Sequence, residues 1–374
     1  MNTVDERMLA LPTLGCAHSD GHAGFETWRA GVRDTVLASV AGFVATRCAV
    51  DLRGPGADIA AGIVQGFFDG GKCVRSTFAL LGWLCGADAD AAALRAAASF
   101  ELLHAFALLQ DDVMDDSPVR RGRASAHVQF ARWHRDRGLS GSSRRFGESA
   151  AMLLGDLCLV WAEQMLRGSG LALDALDRAW PRYDTMRTEL AVGQLGDIVN
   201  DAASLPSLVE VLDVARRKSG NYTVRWPLEI GAVLAGCDDD VLTLLSGYGE
   251  AVGEAFQMRD DLLGIYGSPR VTGKPAGADL LERKATTVVA AAYQLADNGL
   301  RRRLSELMGS DELDQSGVDQ WRTLIAATGA VELIEQMIAE RVAAALELLG
   351  SDRIDHSVRD ALANMAVACS QRAA

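Results

Sequence analysis

The sequence predicts an all-α protein, and three observations carry that prediction. Alanine and leucine are abundant while prolines number only 8 in 374 residues, a balance that favours helix. Apolar residues recur at short helical intervals through most of the chain. No window shows a sustained alternation of apolar and polar residues, and no fixed-period repeat appears.

Taken in order, residues 1–25 lack periodicity and read as an irregular leader. From Glu26 the pattern becomes helical, with Val32, Val36, Leu37, Val40 and Phe43 at the recurring positions. Asp51 to Asp58, rich in Gly, Pro and Asp, reads as a loop. Two helices follow, over 77–86 and 90–114, and Pro118 ends the second. Residues 124–134 read as a short helix and 136–147 as a polar Gly/Ser/Arg loop. Helical patterns resume over 148–168, 172–203 (with a break at Pro181), 207–216, 219–236, 238–266, 280–297, 317–350 and 355–372. About a dozen helices result, with no convincing domain boundary, so 26–374 reads as one domain.

Composition narrows the function classes. A content of 49% hydrophobic and 23% charged residues is that of a globular protein. The net charge of -13 argues against sequence-independent nucleic-acid binding, though a local cluster of Lys and Arg remains compatible with an anionic ligand. Seven scattered cysteines form no CxxC pair and an odd total, which suits a reducing cytoplasm rather than a disulfide framework or zinc site. No uninterrupted apolar run reaches the ~18–20 residues that span a bilayer. Asp5 and Glu6 at the N-terminus are unlike a signal peptide. The expectation is a cytoplasmic protein without stable membrane insertion.

The chemistry concentrates in acidic and basic clusters. Asp111, Asp112 and Asp115 stand at i, i+1 and i+4 at the end of an apolar run from Leu102 to Met114. On a helix, Asp111 and Asp115 share a face one turn apart. Such carboxylates repel one another unless a cation neutralises them, and Mg²⁺ with anionic substrate oxygens completing its shell suits the arrangement. Alone, the motif is equally compatible with a solvated helix end. The pattern returns at Asp260-Asp261, inside the apolar stretch Phe256 to Gly264, and two such clusters are harder to explain as surface. Cations accompany both: Lys72 and Arg75 after Gly70-Gly71, Arg120 and Arg121 after the first cluster, Lys218 beside Ser219, and Lys274 and Lys284 after the second. His104 lies two turns before Asp111. Each cation by itself is more often a solvated surface residue; the set around paired Asp clusters points to diphosphates bridged to carboxylates by Mg²⁺.

The ordered series Gly-Gly-Lys72-x-x-Arg75, His104, Asp111-Asp112-x-x-Asp115, Arg120-Arg121-Gly, Gln194-x-x-Asp197, Lys218-Ser219, Phe256-Gln257-x-x-Asp260-Asp261 and Gly273-Lys274-Pro275 resembles the trans-isoprenyl diphosphate synthase (polyprenyl synthetase) family over most of the chain. The resemblance implies antiparallel helices around a deep cavity, a homodimer, and two Asp-rich motifs facing each other across the cavity mouth with three Mg²⁺ ions. It implies Asp111, Asp112, Asp115, Asp260 and Asp261 as metal ligands or their close support. Lys72, Arg75, His104 and Arg121 would hold isopentenyl diphosphate; Arg120, Lys218, Lys274 and Lys284 the allylic diphosphate. The carbonyls of Lys218 and Gln257 and the hydroxyl of Ser219 would face the allylic cation. Four positions depart from the pattern: Gly264 where many members carry a third Asp, Ser219 where Thr is commoner, and Cys73 and Ser76 for a frequent Arg and Pro. None removes a charge on which the mechanism depends.

In the family, residues one to two turns before the first Asp floor the cavity. Here these are Phe106 and Ala107, ~6–8 Å along the axis from Asp111 at 1.5 Å per residue. One aromatic, one small residue and no insertion in the motif resemble synthases making the twenty-carbon geranylgeranyl diphosphate. Farnesyl or longer products remain as alternatives, and Phe100 or Leu103 could form the floor instead. A class I terpene cyclase would need an Asn/Ser/Glu second motif, absent here, and a non-catalytic partner subunit typically loses acidic motifs that this chain keeps.

Overall fold

The structure, a computed structural model, describes residues 21–202, 205–268, 277–310 and 313–371. Residues 1–20 of the expected leader, and Lys274 with Gly273 and Pro275, lie outside the described residues. Among the described residues the fold is all-α, as the composition predicts, apart from two-residue strands β1 (Val119–Arg120) and β2 (Arg123–Ala124), which pair antiparallel. The chain forms two compact units: one holds residues up to Pro181 with 227–242 and 353–361, the other holds 182–226, 243–352 and the residues from Leu362.

In the first unit, α1 (Gly21–Asp51) starts earlier than the pattern predicts, because Phe25 and Trp28 are buried and their rings meet at 5.9 Å. Val32, Val36, Val40 and Val44 are fully buried at a four-residue spacing, and each contributes roughly 1.5–3 kcal/mol of burial. Next come α2 (Ala57–Gly66), α3 (Val74–Leu84) and α4 (Ala91–Met114). The Asp90 side chain caps α4 by accepting from the Ala92 N–H, satisfying an otherwise orphaned donor. Helices α5 (Ala126–Asp136) and α6 (Ser143–Arg167) pack on α4, as do α1 and α3. By length and mean hydropathy of 1.4 over an 18-residue window α4 would pass as a membrane span, yet 72% of that window is buried. A helix that is apolar all round belongs in a core. Close helix contact needs glycine: a Cβ on Gly82 of α3 would overlap the Leu228 carbonyl of α9 (Trp226–Leu234).

Helix α7 runs from Leu173 to Ala202 straight through Pro181, where the sequence suggested a break. Proline costs a helix about 3 kcal/mol, but Ala179, Tyr183 and Met186 around it are buried, and that packing holds the helix together. The second unit adds α8 (Leu208–Ala215), capped by a Ser207/Glu210 capping box, and a π-helical stretch over Arg216–Arg225. Then follow α10 (Asp239–Tyr266), α11 (Ala278–Leu281), α12 (Thr287–Leu295), α13 (Asn298–Met308), α14 (Gln315–Ala327), α15 (Ala330–Leu348) and α16 (His356–Ser370). The expected helix over 317–350 is divided at Gly329, whose φ of 82° marks the left-handed turn that ends helices. Leu262, Ile265, Val288, Trp321 and Ile334 form the centre of this unit's core.

Candidate active site

The first acidic motif closes α4. Asp115 is its C-cap and donates its backbone N–H to the Asp111 carbonyl at 2.9 Å, which sets the two acids one turn apart as predicted. Three carboxylates at a helix C-terminus, itself the negative end of the helix dipole, make a strongly cation-seeking site. Asp112 is fully buried. Arg120 reaches it from β1 with Nε 2.8 Å from Oδ1 and with Nη2 on the same oxygen, while Nη2 lies 3.5 Å from Asp111. Burial opposes the charge on Arg120, but Asp112, then Asp111 and Asp115, outweigh it and hold the guanidinium above its usual range.

Arg120 and Arg121 diverge because the chain turns between them. Arg121 and Gly122 carry φ of 51° and 73°, the positive pair of a tight hairpin turn, and a non-glycine residue there costs about 1 kcal/mol or more. The strained residue is thereby aimed backwards: its Nη1 donates to the carbonyls of Phe67 (3.0 Å) and Gly70 (3.2 Å). The loop bearing Lys72 is thus tied to the hairpin. Between them lies a cavity of about 270 Å³ whose walls include Gly70, Gly71, Arg120 and Arg121. Burial, with Arg75, Arg121 and Arg120 beside it, holds the His104 imidazole well below its usual range. A neutral histidine among three guanidiniums is a cluster built to take an anion. Lys72 is exposed and Arg75 half-buried.

Sequence reasoning passed over a partner of this cluster. Glu101, one turn before His104 on α4, is buried and accepts from the Ser76 hydroxyl at 2.7 Å. Its only sequence signal is a lone Glu in an apolar run. Ser76, noted as a departure from the family pattern, is the residue that satisfies it. Phe106 and Ala107 are half-buried, whereas Phe100 and Leu103 are buried in the core.

In the second unit the two adjacent acids are not equivalent. Asp260 is exposed and Asp261 is buried. Asp261 Oδ1 accepts from Gln257 Nε2 at 2.7 Å, and Oδ2 accepts from the Thr287 N–H (2.9 Å) and hydroxyl (2.7 Å). Burial pushes its carboxyl up to about 6 in spite of those bonds, with Asp260 adding to the rise. Gln257 stands inside α10, where carbonyls bond along the helix, so its side chain rather than its carbonyl is the distinctive feature. Lys218 and Ser219 sit in the π-helical stretch, a rare conformation that recurs at functional sites. A Cβ on Gly193 of α7 would come within 2.6 Å of the Lys218 N, and Gly220 and Gly253 meet backbone to backbone. Lys218 Nζ pairs with Asp197, whose place in the Gln194-x-x-Asp197 motif suggested no role by itself. Lys284 pairs with Glu282 at 3.2 Å.

Among the described residues, no three His, Cys, Asp or Glu side chains converge closely enough to hold a metal alone. Asp111 and Asp115, one turn apart at the end of α4, are hard oxygen donors of the kind that bind Mg²⁺ together with substrate phosphates and waters.

The sequence profile of the polyprenyl synthetase family matches residues 58–325. The chain is 30% identical over 285 residues to a geranylfarnesyl diphosphate synthase of Aeropyrum pernix, covering 75% of this chain and 83% of that one. It is 33% identical over 272 residues to a (2E,6E)-farnesyl diphosphate synthase of Mycobacterium bovis, covering 71% and 67%. Its structure is similar to a geranylgeranyl pyrophosphate synthase of Corynebacterium glutamicum complexed with isoprenyl diphosphate and magnesium. There the TM-score is 0.87 at 33% identity, over 91% of this chain and 99% of that one.

Proposed function

The chain belongs to the polyprenyl synthetase family and is a trans-prenyltransferase, and we propose that it condenses isopentenyl diphosphate with allylic diphosphates up to geranylgeranyl diphosphate. The observation that carries the reading is the pairing of an acidic helix end with a cationic cluster in one unit. Asp111 and Asp115 flank an Asp112 already gripped by Arg120, and Arg75, Arg121 and His104 form the adjoining anion-seeking group.

The residues then divide by role. Asp111, Asp115 and Asp260 are the carboxylates for divalent cations, while Asp112 and Asp261, whose oxygens are engaged by Arg120, Gln257 and Thr287, hold them in place. Magnesium, three ions in the full complement, would be held by these carboxylates and would supply positive charge for the leaving diphosphate. Arg120, Lys218, Lys274 and Lys284 hold that diphosphate. The allylic carbon–oxygen bond breaks with its electron pair leaving on the diphosphate, and the preorganised cations stabilise the charge that develops. The dipoles of the π-helical stretch, with the Ser219 hydroxyl, suit the allylic cation. Lys72, Arg75, His104 and Arg121 hold isopentenyl diphosphate, with His104 donating an N–H as a neutral ring. The isopentenyl double bond forms the new carbon–carbon bond, and a proton leaves to the released diphosphate.

A twenty-carbon product is favoured because Phe106 and Ala107, in the turns before Asp111, are only half-buried, while Phe100 and Leu103 are committed to the core. Residues 26–374 act as one polyprenyl synthetase domain in this reading. A homodimer fits the apolar side chains that α6 leaves exposed, Met152, Leu153 and Val160; a monomer by light scattering at micromolar concentration would count against it.

The test is incubation of the purified protein with labelled isopentenyl diphosphate, Mg²⁺ and an allylic primer. Elongation to twenty carbons is expected, and no elongation would refute the reading. Phe106→Ala should shift products to longer chains; an unchanged distribution would remove Phe106 from the cavity floor.

A further inference from the structure

Glu189, Gly193 and Asp197 of α7 stand at four-residue intervals and so share one face of the helix. All three meet the π-helical stretch. Asp197 pairs with Lys218 Nζ, and a Cβ on Gly193 would come within 2.6 Å of the Lys218 N. Glu189 belongs to none of the motifs read from the sequence, yet its contact is double. Its Oε2 accepts from Asn221 Nδ2 at 3.0 Å and from Trp226 Nε1 at 2.7 Å. Both donors are buried, and a buried donor that loses its acceptor is left unsatisfied at a cost.

The two donors are spaced as a π turn requires. Asn221 and Trp226 are five residues apart, and the Trp226 N–H donates to the Asn221 carbonyl, the i→i+5 bond that defines the π-helix. In an α-helix, at 3.6 residues per turn, positions five apart point about 140° away from each other. A single carboxylate oxygen that bonds both side chains therefore matches the π turn and would lose a donor if the segment relaxed to α.

We infer that Glu189 is a positioning residue: it holds the stretch from Arg216 to Arg225 in its π-helical form and thereby sets Lys218 and Ser219 for the allylic diphosphate. This rests on the synthase reading above. In this role the Glu189 carboxylate touches no substrate and acts through the backbone that carries Lys218 and Ser219. The isopentenyl side should be indifferent to it, because Lys72, Arg75, His104 and Arg121 belong to the other unit.

The experiment joins kinetics and NMR on the full-length protein. Elongation with Mg²⁺ gives kcat and KM for geranyl diphosphate and for isopentenyl diphosphate. Nitrogen-15 labelling of the 7 tryptophans reports the Trp226 indole N–H, whose signal Trp226→Phe identifies by its disappearance. Glu189→Leu, which accepts no hydrogen bond, should lower kcat/KM for geranyl diphosphate about 100-fold, the order expected for a group misplaced by ~1 Å. Its KM for isopentenyl diphosphate should stay within about 3-fold of the wild type, and its Trp226 indole signal should move upfield. Glu189→Gln keeps an acceptor oxygen but not the charge, which makes its bonds roughly half as strong; it should lose only about 10-fold in kcat/KM for geranyl diphosphate.

An unshifted indole signal in Glu189→Leu, or losses that fall equally on both substrates, overturns the inference. If Glu189→Leu fails to fold by circular dichroism, Glu189→Gln decides, and wild-type kinetics with an unshifted indole signal would then refute it. A wild type that does not elongate refutes the synthase reading; one that elongates while the variants behave in either overturning way refutes this inference alone.

Discussion

Replacing Arg120 by Gln should cost far more stability than a surface arginine would. The Asp112 side chain is 1% exposed and that of Arg120 is 18% exposed, so water offers the carboxylate no substitute partner. At the 2.8 Å separation of Nε and Oδ1, two unit charges at an effective dielectric constant near 20 attract by about 6 kcal/mol. Desolvation of both groups is already included in the folded state, and removing one partner of a buried pair leaves the other charge uncompensated, a loss of about 3–5 kcal/mol. Arg120→Gln should therefore lower unfolding free energy in urea by about that much. Arg120→Lys, which keeps the charge but loses the two-donor geometry, should lose less. The double variant Asp112→Leu/Arg120→Met should recover most of the loss, since no buried charge is left unpaired. The assay is urea denaturation followed by far-ultraviolet circular dichroism in EDTA. A loss below about 1 kcal/mol, the range of exposed pairs, would mean Asp112 is solvated and the reasoning is wrong.

Asp261 gives a pH signature. Its folded value, raised by burial from 3.8 to about 6, means the protonated form is favoured by folding. The contribution is full below pH 4 and is lost as pH rises through 6, a total of about 3 kcal/mol at 1.36 kcal/mol per unit. Asp261→Asn does not titrate, so its stability relative to the wild type should rise by that order between pH 4 and 7; a constant difference across that range would dismiss the assignment. Gly82→Ala should destabilise by about 3 kcal/mol or more in the same assay, because a Cβ there meets the Leu228 carbonyl of a packed helix and overpacking against backbone has no cheap relief; a change under 1 kcal/mol would show that α3 and α9 separate freely. Ser76→Ala removes the hydroxyl that donates to the buried Glu101, for an expected loss of about 1–3 kcal/mol. Unchanged stability would indicate that water replaces the hydroxyl.

Much of the fold was legible because helix periodicity is local. The valines of α1, the two apolar helices carrying aspartates and the Pro118 stop all follow from neighbours in sequence, and the structure places them accordingly. Where the expectations fail, a long-range contact overrides the local rule. Pro181 does not break α7 because buried side chains on both sides hold the helix. Helix α1 reaches back to Gly21 because Phe25 and Trp28 pack together. The π-helical stretch around Lys218 has no periodic signature of its own. It is set among glycines at 193, 220, 249 and 253 that let backbones touch, and such contacts join residues distant in sequence.

The candidate site divides in the same way. Residue types and their order pointed to the chemistry by themselves: paired carboxylates beside arginines and lysines suit a divalent cation and a diphosphate. Tertiary structure alone distinguished residues that are identical in sequence terms. Asp111 and Asp112 are adjacent, as are Asp260 and Asp261, yet one of each pair is buried and held by neighbouring side chains while the other is reached by solvent. Arg120 and Arg121 are adjacent too, but a turn with positive φ sends one to Asp112 and the other to the loop at 67–70. Charge and spacing are properties of the chain; desolvation and the direction of a side chain depend on what folds against it. For that reason the amino-acid sequence specified which charged groups stand in the two motifs, and the packing decided which of them reach solvent and which are buried against their neighbours.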